Sequence, residues 1–160
     1  MNDLLKILSE NSKFSTEELS MMLDESCQDI EEKIKKYEKE NVIKGYRAIV
    51  NWEKVEDAGV TALIELKVTP QKETGFDKIA KEVMNFKEVD SLYLMAGAYD
   101  LAVFVKGKSI QEIAMFVSKK LSTIDEVIST ATHFLLTRYK DSGIDLHNHD
   151  YSEDKRSMIL

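Results

Sequence analysis

The sequence predicts an α+β fold, an N-terminal winged helix-turn-helix followed by a ferredoxin-like βαββαβ module. Three observations carry that expectation. Residues 14–50 read as two short capped helices and then an extended segment, the pattern of a helix-turn-helix reading head. Beyond Gly59, apolar runs of strand period and helix period follow one another in the order β-α-β-β-α-β. Between the two modules lies the acid-bearing stretch 51–59, which reads as a linker.

The first module is built from local signals. Leu4, Leu5, Ile7 and Leu8 mark a short amphipathic helix, and 11–13 are turn-like. Ser15 with Glu18 three residues on fits a capping box. Leu19, Met22 and Leu23 then follow at helical spacing. Asp24 and Glu25 break this helix, and Ser26 with Asp29 gives the next cap. Ile30, Ile34 and Tyr37 form the buried stripe of a third helix. Asn41 sits at its end, where a residue tolerant of the left-handed conformation is needed. In 42–50, Ile43, Tyr46, Ala48 and Val50 alternate with polar residues, which predicts a wing or connecting strand.

In the second module, 60–68 alternates Ala62, Ile64, Leu66 and Val68 against Leu63, Glu65 and Lys67, a strong strand pattern that Pro70 ends. Phe76, Ile79, Ala80, Val83 and Met84 have helical spacing. Strands are expected at 89–96 and 101–105, joined by Gly97, Ala98, Tyr99 and Asp100. Ser109 with Glu112 caps a helix carrying Ile110, Ile113, Phe116, Val117 and Leu121. After a connector, 127–136 is the last strand. Right-handed crossovers place both helices on one face of an antiparallel sheet. Segments 101–105 and 133–136 are apolar on both faces, so the open face calls for a partner, and a second copy is the simplest one. The expected organisation is thus a DNA-binding module at 1–50, a linker at 51–59, a ligand-sensing and oligomerisation module at 60–140, and a polar tail at 141–160.

Composition narrows the function. The 160 residues carry a net charge of −7, an unfavourable balance for binding nucleic acid. From Asp24 to Asn41 there are seven Asp or Glu against four Lys and no Arg. The only arginines are Arg47, Arg138 and Arg156. No apolar run approaches the ~20 residues that span a bilayer, and the N-terminus does not read as a signal peptide. The single Cys27 excludes an internal disulfide and fits a reducing cytoplasm. No phosphate loop or nucleophile–base signature is present, so neither catalysis nor a cofactor is expected. His147, His149 and Asp150 lack the further ligands that a metal site needs, and they read as polar tail.

With both modules placed, the chain resembles the Lrp/AsnC (feast/famine) family of transcriptional regulators over roughly residues 2–140. The resemblance rests on Glu18-Leu19-Ser20, on Val42-Ile43-Lys44-Gly45-Tyr46, on Gly97-Ala98-Tyr99-Asp100, and on Thr130-Ala131-Thr132 before an apolar run. It implies a helix-turn-helix joined to a ferredoxin-like sensor, called the RAM domain. It also implies DNA as a partner, an amino acid or similar small effector, and homodimers assembling to tetramers or octamers.

Carried over by position, the effector cleft would involve Gly97, Ala98, Tyr99, Asp100, Ile110, Thr132, His133 and Phe134. Asp100 has two readings, a partner for an effector ammonium or a turn residue of the hairpin. The residues placed to face a DNA groove are Ser26, Gln28, Asp29, Glu32, Lys33 and Lys36, with Lys44 beside them. Where the family usually has Gly-Leu-Ser, this chain has Asp24-Glu25-Ser26. Where the family carries arginines, it has Glu31-Glu32-Lys33. Asn41 replaces a glycine, and Asp125-Glu126 replaces Pro-Gly. The expected function is a DNA-binding regulator controlled by a small metabolite, its DNA binding weakened by an acidic recognition helix. The rival is a small-molecule-binding oligomer that has lost DNA binding. An enzyme on the ferredoxin-like module is a distant third reading.

Overall fold

The computed structural model describes residues 3–72 and 75–147. They divide into two compact units. The first comprises the residues up to Val50 together with a hairpin that begins at Lys140, and the second runs Asn51–Tyr139.

The first unit holds α1 (Asp3–Glu10), α2 (Thr16–Leu23) and α3 (Cys27–Lys39). Ser15 Oγ accepts from the Glu18 N–H while Glu18 reaches back to the Ser15 N–H at 2.8 Å, so the capping box closes in both directions. Ser26 caps α3 by accepting from the Asp29 N–H at 3.1 Å. Leu4, Leu19 and Ile30 are buried, one from each helix, and Ile7, Leu8, Phe14, Leu23, Ile34 and Tyr37 pack around them. Asn41 adopts φ 59° after α3. The Val42 N–H then donates to the Tyr37 carbonyl and the Asn41 N–H to that of Glu38, the paired bonds of a Schellman stop. Asn41 thereby does what glycine usually does.

Two expectations fail here. Residues 44–50 form no strand, although the alternation predicts one. Alternation fixes which side chains share a face, but a strand also needs a neighbouring backbone to bond. Nor is the stretch from 141 onward a featureless tail. Lys140–Asp141 (β5) pairs antiparallel with Ile144–Asp145 (β6). Ser142 at φ 47° and Gly143 at φ 86° make the two-residue turn. His147 donates its N–H to Asp145 at 2.8 Å. His149 and Asp150 lie outside the described residues.

The second unit contains β1 (Val60–Val68), α4 (Asp77–Met84), β2 (Val89–Leu94), β3 (Leu101–Gly107), α5 (Ile110–Lys119) and β4 (Val127–Phe134). The sheet is antiparallel in the order β2-β3-β1-β4, with β1 and β3 central. β2 and β4 are each two residues shorter than the sequence predicts, and β3 runs two residues further. The 51–59 stretch is not plain linker, because Trp52–Lys54 make one turn of 3-10 helix. Ala62, Ile64 and Leu66 of β1 and Leu101, Val103 and Val105 of β3 bury one sheet face. Ile79 and Val83 of α4 and Ile113 and Phe116 of α5 cover that face. Ser109 accepts from the Glu112 N–H, but Glu112 returns its carboxylate to the Lys108 N–H rather than to Ser109.

Two details pin this unit. Gly59 enters β1 at φ 77°, and a Cβ there would lie 2.6 Å from the Gly107 carbonyl oxygen. Glu88, before β2, accepts from Lys120 Nζ at 2.8 Å, and its side chain is only 12% exposed. Lys120 also sits 5.5 Å from the ring centre of Phe86. Burial pushes the Glu88 carboxyl up. The Lys120 hydrogen bond, its own backbone N–H and the charges of Lys120 and Lys87 outweigh burial and hold it below the usual range. A depressed carboxyl pKa adds stability above the unfolded value of about 4.3, which is lost as pH falls through the folded value. Glu88→Gln is therefore expected to lower the urea midpoint at pH 7 and to differ little from the native protein near pH 3. Equal deficits at both pH values would count against this ion pair.

Candidate nucleic-acid and effector sites

α3 is anchored by Ile30 on its inner side and leaves the opposite face open. Asp29, Glu32, Lys33 and Lys36 fall at i, i+3, i+4 and i+7, one strip of the helix surface. With Glu25 they line a shallow groove. The structure thus brings together four of the seven residues expected to face DNA. Gln28 is turned to Glu32, donating to it at 3.0 Å. Ser26 is occupied as a cap and also donates to the Asp29 carboxylate at 2.6 Å. Lys44 lies beyond α3 and donates to Asn41 Oδ1 at 2.8 Å.

The electrostatics of the groove follow from its members, three carboxylates against two ammoniums. Lys33 Nζ lies 2.5 Å from Glu25 Oε2. The Glu25 hydrogen bond, with the charges of Glu25, Tyr37 and Asp29 behind it, holds Lys33 above the usual lysine range, against a smaller effect of burial. Lys35 pairs with Glu31 at 3.4 Å across one helical turn. Lys36 has no ion-pair partner among the described residues. Glu25 was not among the expected site residues. It sits eight positions before its partner in a turn, and no spacing rule joins the two.

The effector residues do not form one cluster within the chain. Gly97, Ala98, Tyr99 and Asp100 join β2 to β3 at one end of the sheet. Ile110 opens α5 just past the other end of β3, about 20 Å away at the usual rise per strand residue. Thr132 is paired with Ile64 and Phe134 with Ala62, so both belong to the helix-covered face, where Phe134 packs on the core. His133 alternates to the open face, with Nε2 3.4 Å from Glu65 Oε1. Gly97 and Ala98 are exposed, and Tyr99 is half-buried.

Asp100 has a clear structural task. Its Oδ2 accepts from the Val68 N–H at 2.8 Å, its N–H donates to the Leu66 carbonyl, and its own carbonyl accepts from the Met95 N–H. The side chain closes the end of β1, thirty-two residues away in sequence. Asp100→Ala leaves the Val68 N–H without its partner and is expected to cost about 1–3 kcal/mol. Asp100→Asn keeps an acceptor and is expected to cost less. Urea unfolding checks both, and an alanine variant as stable as the native protein would remove this role.

The open face of the sheet carries Leu63, Ala102, Phe104, Ala131 and Tyr93. Leu63 stands opposite Phe104, and the Tyr93 and Phe104 rings meet edge to face with centres 6.1 Å apart. Glu65, His133, Lys67 and Lys106 border this apolar centre. Among the described residues no helix is long and apolar enough to cross a membrane.

Comparison with known proteins identifies the assembly of parts. The Lrp/AsnC ligand binding domain model matches residues 61–145. The HTH-type transcriptional regulator YugG of Bacillus subtilis is 44% identical over 98% of this chain and 94% of its own length. The proline dehydrogenase transcriptional activator of Rhizobium radiobacter is 28% identical over 88% of this chain and 90% of its own. A transcriptional regulator of Neisseria meningitidis, solved as a complex with L-methionine, shares the fold. It has a TM-score of 0.69 and 23% identity, covering 90% of this chain and 93% of that one. A reading head of three short helices, a βαββαβ sheet unit and these relatives together place the chain: it belongs to the Lrp/AsnC family of transcriptional regulators.

Proposed function

We propose that this protein is a DNA-binding transcriptional regulator controlled by an amino acid or a related small metabolite, and that the acidic segment 24–41 around α3 weakens the grip of each head on duplex. The observation that carries the reading is the placement of α3. It is capped at Ser26, stopped at Asn41 and seated through Ile30, and its strip of Asp29, Glu32, Lys33 and Lys36 faces solvent. A carboxylate on that strip can accept from a cytosine amino group but repels nearby phosphates. Weak single heads bind usefully only when paired in an assembly. The L-methionine complex of the Neisseria regulator, which shares the fold, supports an amino acid as the effector class. The exposed loop at Gly97 and Ala98 is the entrance we assign to it, completed by a neighbouring copy because Ile110 of the same chain is too distant.

The open sheet face supplies the pairing surface. Two copies meeting through Leu63, Phe104 and Tyr93 and the residues around them would bury well over ~1,000 Å². Phe104→Glu is expected to convert the assembly to monomer in light scattering at micromolar concentration. An unchanged mass would move the interface elsewhere. The function itself is tested by fluorescence anisotropy on duplex from 20 mM salt upward, with and without a panel of amino acids. Salt-sensitive binding that shifts with one of them supports the reading. The excess of carboxylates over residues 24–41, seven against four lysines, favours the rival of an effector-binding oligomer without DNA affinity. Amino-acid binding by calorimetry, with no duplex retained at any salt, would establish that rival instead.

A further inference from the structure

We propose that Glu25 is a built-in competitor for phosphate: it occupies the Lys33 ammonium on the open face of α3, so that Lys33 contributes nothing to the grip on duplex while the pair is closed. This rests on the DNA-binding reading above.

The pair differs from an ordinary surface contact in how its acid is held. Asp24 takes the left-handed conformation at φ 54° and turns the chain out of α2. The Glu25 N–H then donates to the Ser20 carbonyl at 3.2 Å, and the Ser20 hydroxyl donates to the Glu25 carbonyl at 2.5 Å. These two bonds fix the backbone from which the carboxylate projects onto α3. Side-chain ordering, the usual cost that cancels an exposed ion pair, is reduced where the backbone is already set. The side chains of Lys33 and Glu25 are 44% and 32% exposed, against 72% and 54% for Lys35 and Glu31. A phosphate approaching Lys33 must displace Glu25, which would then face the duplex unpaired beside Asp29 and Glu32. Like charges brought together in that way oppose the contact. Lys36, on the same strip and without such a partner among the described residues, stays available. The ligand class is the phosphodiester backbone of any duplex, because the contact is with charge and not with base edges.

The experiment measures the slope of log affinity against log salt for the full chain on a generic duplex. The variants are Glu25→Gln, Glu25→Ala, Lys33→Met and the double Glu25→Gln/Lys33→Met, with Glu31→Gln as control. The Ser20 bonds use only the Glu25 backbone, so the variants are expected to keep α2 and α3, which circular dichroism checks. The alanine variant serves if glutamine perturbs the turn. Glu25→Gln is expected to tighten binding and to steepen the slope by about 0.9 per engaged head. Lys33→Met alone is expected to leave the slope unchanged, and the double variant to lose the gain. Glu31→Gln is expected to change the slope less than Glu25→Gln. The proposal is overturned if Lys33→Met alone flattens the slope by about 0.9, since Lys33 would then already touch phosphate. It is also overturned if both Glu25 variants keep the native slope, while native binding leaves the DNA reading intact. Loss of duplex by every protein at low salt would bring down the DNA reading and this proposal with it.

Discussion

Gly59→Ala is expected to lose about 2–4 kcal/mol of stability, from left-handed backbone strain added to a steric clash. The backbone at Gly59 has φ 77°, where an L side chain is strained whatever space it finds. Here there is no space. The added carbon would meet the Gly107 carbonyl oxygen at 2.6 Å, and Gly107 belongs to β3, whose register with β1 begins at that point. Backbone cannot swing aside as a side-chain tip can, so relief requires β1 or β3 to shift. Gly143→Ala is the control. Its φ is 86°, but no atom lies within 4 Å of the added carbon, so only the strain of about 1–2 kcal/mol applies. Urea denaturation of both variants checks the comparison, and a Gly59→Ala midpoint no lower than that of Gly143→Ala would refute it.

Ile30→Ala is expected to cost about 2–5 kcal/mol and to unfold the first unit. Ile30 is fully buried, and the described core of that unit has only Leu4 and Leu19 beside it at comparable depth. A core this small cannot absorb a cavity by redistributing contacts, and a unit of its size has little stability to lose. Hydrogen exchange read by mass spectrometry separates the outcomes. Amides of α1, α2 and α3 should lose protection while those of β1 and β3 keep theirs. Duplex retention at low salt should disappear at the same time. Protection of the three helices at native levels would mean that Ile30 is not the keystone of the unit.

What could be read from the sequence was whatever is decided within a few residues. The caps at Ser15, Ser26 and Ser109 are set by side chains reaching three residues on, and all three form. The stripe of Ala62, Ile64, Leu66 and Val68 fixed the buried face of β1 because alternation leaves no other choice once one face is covered. What was missed depends on distant chain. Residues 44–50 look like a strand but have no ladder partner among the described residues. The Val68 N–H finds Asp100, and Lys33 finds Glu25, through turns that bring remote positions together. The effector set fails to converge for a related reason. Thr132 and His133 are neighbours in sequence, and the same alternation that identified the strand sends them to opposite faces. The turn at Ser142 and Gly143 was legible in principle, since a glycine flanked by short extended pairs is a hairpin signal. The charged surroundings concealed it.

Among the described residues, four that are not glycine hold left-handed backbone: Asp24, Asn41, Asp57 and Ser142. Asp24 ends α2 in the turn that leads into α3, and Asn41 follows the end of α3, so the segment that would meet a duplex is bracketed by conformations the chain adopts under mild duress. Each is a place where a single replacement could harden the molecule without altering any exposed charge on α3. Ser142→Asn is the simplest of them, because Asn-Gly is the pair that a two-residue hairpin of this hand favours. The protein therefore keeps unused room for thermal hardening in its turns, away from the side chains that would discriminate one partner from another.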